Sequence, residues 1–448
     1  MVTALVNGTL IDGNGGAAKP GSTVVVDGDS IAEVGQQRDF GSEVTVVDLG
    51  GKTIMPGLID CHAHFAHWGM NLIAHQDKSL MLLAAETVAA LRTTLEVGCT
   101  TARDLGGLDA GFREAVNRGL IPGPRLQCSL TIISPTNGIS DPRTAQGMVS
   151  PPSPGIPSQS CNGPYEARAK VREVLGAGAD VIKIATTGGV SSPKVDPRRQ
   201  LFTREEVEAI VDEAHMAGVA VTCHALGGPG LLMAVQAGVD CIEHGGWLTD
   251  EVVAEMVKRG TWWVPTFAVY RWHGTIGPEF KQIRAQGMRE DHLKSFAMAR
   301  KAGVRIAMGT DIGGYGYGET ALELELLVEA GMTAAEAIET STRRSAECLR
   351  IDCMVGTLAA GKRADLLVVD GDPLRDVRVL QDRRRLRAVL KDGQPVDLGG
   401  PWPERTVYPW ERAQIASTEE LYYETVANDP ELRGQLAERL HTDLRFPN

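Results

Sequence analysis

An α/β fold, a (β/α)8 TIM barrel with a small β-sandwich domain built from both termini, is the class this sequence predicts. Three features predict it. Eight apolar runs alternate with helical segments between residues 54 and 350. Short β-prone runs of similar texture occupy both ends, and polar residues gather where the central apolar runs stop.

The amino-terminal runs TALVNGTLI, STVVVDGDSIAEVG and EVTVVDL are punctuated by the turn pairs Asp12-Gly13 and Asp27-Gly28. The same texture returns in VGTLAAGKRADLLVVD and RRRLRAVLKDGQPV, with Asp392-Gly393 as its turn. Residues 1–53 plus 351–396 are therefore expected to form one β domain flanking a barrel of residues 54–350. The barrel strands are TIMPGLID, CTTARDL, RLQCSLTII, DVIKIAT, VAVTCHA, VDCIEHG, TWWVPTF and VRIAMGTD. Between them, Thr203 with Glu206 and Thr333 with Glu336 have capping-box spacing, and Thr249 to Gly260 reads as a capped and stopped helix.

Two segments break the rhythm. Residues 134–163 are rich in Pro, Ser and Gly, and a long insertion after a barrel strand suits a lid or pocket wall. The extension 397–448 carries Trp402, Trp410, Tyr422 and Tyr423, which suits packing on the barrel or on a neighbouring subunit of a homo-oligomer.

Composition narrows the function. The net charge of −12 opposes nucleic acid and anionic membrane surfaces as partners. No run approaches the roughly 18 apolar residues of a spanning helix, and the start lacks a basic, then apolar, leader pattern. The eight cysteines form no CxxC and read as reduced thiols. A cytoplasmic enzyme with a small-molecule substrate is the expectation.

The chemistry gathers on one rim. In "LIDCHAHF" His62 and His64 stand two apart on a strand, so both point to one face. Lys183 in "VIKIATTGG", His224 in "VTCHA", His244 in "CIEHGG" and Asp311 in "AMGTDIGG" all fall at or near strand ends. One strand–helix–strand step separates Lys183 from His224, and two separate His244 from Asp311. Converging neutral imidazoles are what a divalent transition metal accepts. A lysine flanked by Val181, Ile182 and Ile184 must find an anion or lose its charge. As a neutral amine it can add carbon dioxide to become a carbamate, whose two oxygens can bridge two metal ions.

This constellation resembles the amidohydrolase superfamily, as do "IMPGLIDCHAH" and "GTLAAGKRADLLVVD" at the two ends of the barrel. The strings "VIKIATTGGVSSP", "IEHGG" and "GTDIG" resemble its prolidase-like, carboxylated-lysine branch, which includes imidazolonepropionase-like proteins and metal-dependent dipeptidases. The resemblance spans about residues 1–395. "TIISPTNG" departs from the Gly-Gly-His-like turn of many relatives, so substrate preference does not carry over.

The resemblance implies a binuclear hydrolase cleaving an amide bond in a dipeptide, N-acyl amino acid or related small amide. His62 and His64 would hold the more buried metal, His224 and His244 the more exposed one, with carboxylated Lys183 bridging. Asp311 would bind the buried metal and handle the proton of the attacking water. Zinc suits the ligand set best, with manganese or iron as alternatives. Tyr270 is placed to stabilise the oxyanion, Arg271 to hold a substrate carboxylate, and His273, Tyr315 and Tyr317 to line the pocket; His67 and His75 are expected at the surface or behind the ligands. A mononuclear deaminase or dechlorinase would usually lack the lysine and carry a Glu after the fifth-strand histidine, which "HALGG" does not. Carbamate, ester or lactone hydrolysis would suit the same site, and a non-catalytic scaffold would have lost ligands.

Overall fold

The computed structural model describes residues 2–36, 38–66, 78–143, 146–147, 149, 152–153, 155–192, 195–275, 279–313 and 316–398. Tyr315, His67, His75 and the aromatic extension from 399 onward lie outside these residues.

Both ends of the chain build one eight-stranded sheet. It contains β1 (Val2–Leu10), β2 (Lys19–Asp27), β3 (Ser30–Gln36), β4 (Thr45–Asp48) and β5 (Thr53–Pro56) from the first end. The other end supplies strands Leu366–Val369, Leu386–Lys391 and Gln394–Pro395. Two separate stacked sheets were expected, but the ladders form a single branched sheet. The branch lies on β1, whose first half pairs with β4 and whose last residues pair with β5. At the change of neighbour Asn7 adopts φ 56°, and the register to β2 shifts between Leu5 and Gly8. Asn tolerates this left-handed conformation better than most residues, which fits it to a bulge.

The middle of the chain supplies parallel strands only. β6 (Leu58–Ala63), β7 (Cys99–Asp104) and β8 (Arg125–Cys128) form one sheet. The second runs in sequence order from β9 (Ile132–Ile133) through β10 (Ile182–Ala185), β11 (Val221–Gly227), β12 (Cys241–Trp247) and β13 (Trp262–Val264) to β14 (Arg305–Ile306). Backbone hydrogen bonds run across both gaps between the sheets. At one, RLQCSLTII is a single run broken into β8 and β9 by buried Leu130 at φ 64°, and Asp180 N–H donates to Cys128 O at 2.8 Å. At the other, Cys61 N–H donates to Met308 O at 2.9 Å, Asp311 N–H to His62 O at 2.7 Å and His64 N–H to Ile312 O at 2.8 Å. Glycine permits that last approach: a Cβ at Gly309 would stand 2.8 Å from His62 Cβ, and one at Gly313 would stand 2.2 Å from His64 O.

Helices cover the outside. The capping boxes at Thr203–Glu206 and Thr333–Glu336 both form, and Thr249 caps Asp250–Arg259, which Gly260 ends in a left-handed turn. The main core joins Leu58, Ile182, Ile184, Val221 and Ile242 on the strands to Leu91, Val171, Val207, Ile210 and Phe296 on the helices. All eight cysteines are free, and Cys353 alone of them is exposed. Among the described residues no helix is long and apolar enough to cross a membrane.

Candidate metal centre

Strand register levels the candidate residues. Ala185 pairs with His224, and Ala225 pairs with His244, so the ends of β10, β11 and β12 lie side by side. His62, His64, Lys183, His224, His244 and Asp311 are all buried, between 1% and 9% exposed. The rings of His62 and His64 are 5.3 Å apart, His62 and His244 4.9 Å, and His224 and His244 4.4 Å. His62, His64 and Asp311 offer ligand atoms that all lie within 4.8 Å of one another.

Each imidazole has one nitrogen committed to an acceptor. His62 Nδ1–H donates to Glu243 Oε2 at 2.8 Å, and His64 Nδ1–H donates to the Gly106 carbonyl at 2.9 Å. His224 uses the other nitrogen, its Nε2–H donating to Gly188 O at 2.9 Å. For His244 the acceptor is the Thr266 hydroxyl, 2.9 Å from Nδ1, whose own proton goes to Pro265 O at 2.7 Å. These partners fix which nitrogen of each ring keeps its lone pair: Nε2 in His62, His64 and His244, and Nδ1 in His224. Burial is the main force lowering the imidazolium of His62 to about 4 and of His224 to about 3, and it drops His244 far below its ordinary value. All three are therefore neutral near pH 7.

Asp311 Oδ1 stands 3.3 Å from His64 Nε2 and 3.5 Å from His62 Nε2. Lone pairs of nitrogen converging on a carboxylate oxygen call for a cation between them. The same geometry acts on His64: burial pulls its imidazolium down, and the hydrogen bond and charge of Asp311 outweigh that, so the net shift is upward. A proton thus competes with any metal for this nitrogen. Burial alone would raise Asp311, but the charges of His62 and His64 hold its carboxyl at about 2, so it is ionised.

Lys183 completes the centre. Its Nζ is fully buried and has no hydrogen-bond partner among the described residues. Burial holds the ammonium below its ordinary range, although Glu243 and Asp311 pull the other way. On its strand Lys183 pairs with Thr222, two residues before His224 on the neighbouring strand. An orphaned amine beside four imidazoles and a carboxylate is a donor set that fits divalent metal.

Backbone strain sits at the same strand ends. His244, Thr266 and Asp311 adopt φ of 76°, 54° and 58°, a region that costs a side-chain-bearing residue about 1–2 kcal/mol. At His244 the kink breaks strand alternation, so adjacent Glu243 and His244 both reach His62, one by hydrogen bond and one ring to ring.

Several supports were not singled out from sequence. Asp104 accepts from the backbone N–H of Phe65, Gly106 and Leu108, which holds the carbonyl that His64 uses. Asp60 ties β6 to Thr310 through its N–H and hydroxyl. Glu323 accepts from Phe267 and Ala268 N–H, capping the helix Phe267–His273 that carries Tyr270. The available signal was charge inside apolar runs, as with Arg103 and Asp104 in "CTTARDL" and Glu243 in "CIEHGG".

The expected pocket residues divide. The Tyr270 ring meets His244 edge-on at 5.7 Å, and burial followed by the charge of Asp311 keeps its phenol protonated. His273 is buried beside Tyr270, and Asp311 and Lys281 both act on it electrostatically. Arg271 instead is exposed and faces Glu329 at 3.7 Å; its position on the helix turns it outward, and it does not join the cluster. Tyr317 donates its hydroxyl to His64 O and Phe65 O at 2.8 and 3.0 Å, so it braces β6 from behind. The 134–163 segment reaches the centre: a Cβ at Gly189 would stand 2.5 Å from Ile139 Cδ1 and 3.7 Å from His224 Cε1. A cavity of about 710 Å³ lined by Arg103, Asp240, Trp262, Arg305 and Arg350 opens at the opposite ends of the strands, away from the imidazoles.

Comparison with known proteins agrees with this architecture. The amidohydrolase family profile matches residues 53–396. Ochratoxinase of Aspergillus niger is 32% identical over 441 residues, covering 91% of this chain and 90% of the relative. Its crystal structure superposes with a TM-score of 0.79 at 30% identity, covering 90% of this chain and 97% of that one. A Xaa-Pro dipeptidase structure with methionine bound in its active site gives 0.81 at 33% identity, covering 88% and 99%. Imidazolonepropionase of Hyphomonas neptunium is 26% identical over 380 residues, covering 78% of this chain and 87% of the relative. With its fold, its rim of ligands and these relatives in agreement, the chain belongs to the amidohydrolase family, hydrolases that act on carbon–nitrogen bonds.

Proposed function

We propose that the protein is a binuclear metal-dependent hydrolase that cleaves the amide bond of a dipeptide or N-acyl amino acid. The observation that carries this reading is the outward commitment of one nitrogen on all four imidazoles, which turns the other nitrogen of each ring inward. His62, His64 and Asp311 would hold one ion, and His224 and His244 the other. Lys183 would add carbon dioxide, forming an N–C bond and releasing one proton, so that its carbamate stands between the two. We also take the two parallel sheets as one eight-stranded barrel wall, with residues 1–53 and 351–396 as its satellite domain.

When bound, a pair of divalent ions supplies Lewis acidity that acidifies a water and polarises the substrate carbonyl. Asp311, held ionised, accepts the proton of the attacking water and delivers it to the leaving nitrogen. Tyr270, held protonated beside His244, donates to the developing oxyanion. Val190, Leu226, Ala285 and Met288, with Trp247 and Tyr270 against them, give an apolar wall for a substrate side chain. Buried Lys281, acting on His273, supplies positive charge for a carboxylate on the amine half. Ochratoxinase and a Xaa-Pro dipeptidase, among the relatives that cover nearly the whole chain, support the same bond class.

Metal analysis of the purified protein should give close to two ions per chain. A screen of N-acyl and dipeptide substrates with apolar carboxyl-terminal residues should find turnover. A folded protein that takes up no zinc or manganese and cleaves none of them would refute the reading.

A further inference from the structure

Glu243 occupies the middle of the barrel interior with no access to solvent. Its two oxygens have separate duties. Among the described residues, Oε2 accepts only from His62 Nδ1–H, at 2.8 Å. Oε1 accepts from Arg103 Nη2–H at 2.9 Å, from the Thr222 hydroxyl, and from Cys241 Sγ–H at 3.2 Å. Arg103 is anchored in turn, its Nε–H donating to Cys61 O at 2.8 Å, one residue before His62.

We propose that Glu243 is the positioning residue of the buried metal site: it holds His62 as the Nδ1–H tautomer, so that Nε2 presents its lone pair. The inference rests on the metal reading above. The chemistry of the acceptor makes the point. Four donors converge on Glu243, and only a carboxylate accepts from both sides at once. In Glu243→Gln the amide has one oxygen. If that oxygen serves Arg103, Thr222 and Cys241, the amide N–H₂ faces His62 Nδ1. The imidazole must then accept there and move its proton to Nε2, where ligation is blocked. The reverse orientation sets N–H₂ against three donors, one of them a guanidinium, and is disfavoured. Arg103 therefore decides which way the amide turns.

The test is zinc titration of metal-free wild type, Glu243→Gln and Arg103→Met/Glu243→Gln, with histidine nitrogen NMR on the metal-free proteins. Wild-type His62 is expected as Nδ1–H and Glu243→Gln as Nε2–H. The single variant, read where it is folded, should bind its tightest zinc about 10–100-fold more weakly. The double variant frees the amide to turn its oxygen to His62 and should recover part of that loss. A merely structural Glu243 would leave His62 as the Nδ1–H tautomer in folded Glu243→Gln. Equal zinc affinity in wild type and folded Glu243→Gln overturns the inference and leaves the metal reading intact. Should Glu243→Gln fail to fold, an Nε2–H signal for His62 in the wild type overturns it just as well. A wild type that binds no zinc overturns both.

Discussion

Lys183 and Arg103 are both cations buried inside the same ring of strands, and they are treated in opposite ways. Arg103, on β7, has Glu243 at 2.9 Å and the Cys61 carbonyl at 2.8 Å. Its guanidinium is held above its ordinary range because the Glu243 charge outweighs burial. Lys183, on β10, has no hydrogen-bond partner among the described residues, and burial depresses it. Burial is common to both; the partners differ. The surroundings of Arg103 are arranged to be stable as they stand, and those of Lys183 are arranged to receive something.

Paired substitutions would break or sharpen that contrast. Lys183→Met should remove the proposed metal bridge and cut kcat by about three orders of magnitude, since metal Lewis acidity is worth several kcal/mol and each 1.4 kcal/mol is tenfold. Its metal-free melting temperature should hold or rise, because an orphaned buried amine is replaced by an apolar side chain. Arg103→Met should do the reverse, destabilising the metal-free fold by about 3–5 kcal/mol in denaturant titration by leaving Glu243 buried and unpaired. Equal stability losses in the two variants would end the distinction.

Smaller effects follow outward from the centre. Glu323→Ala should cost about 1–2 kcal/mol through the lost helix cap and lower kcat by displacing Tyr270. Lys281, brought down to about 8 by burial, is charged below that pH and neutral above it. KM for a carboxylate substrate should therefore rise as pH passes upward through about 8, and Lys281→Met should raise KM and abolish the inflection. Arg271→Ala should change stability by less than about 0.5 kcal/mol and leave KM unaltered, because its partner is an exposed carboxylate.

Legibility in the sequence followed the same gradient. The six rim residues could be found because titratable side chains at apolar strand ends repeat with the strand–helix period. Capping boxes were visible because they are local. The residues that hold the ligands in register were hidden, since Glu243, Arg103 and Asp104 act through pairings between strands remote in the chain. Arg271 shows the converse: proximity to Tyr270 in sequence placed it near the pocket, and helix geometry turned it to solvent. The branch of the terminal sheet depends on one residue, Asn7, whose left-handed turn no alternation pattern records.

Gly57 alone separates β5 of the terminal sheet from β6 of the barrel, and its N–H donates to Asp365 O at 3.0 Å where the chain comes back. Pro56 lies directly opposite Leu366 in the adjoining ladder. Outgoing and returning polypeptide are thus zipped together at one clasp. A protease nick within 134–163 would leave two fragments still fastened there, so cleavage of the insertion would sever a covalent bond without releasing either half of the molecule.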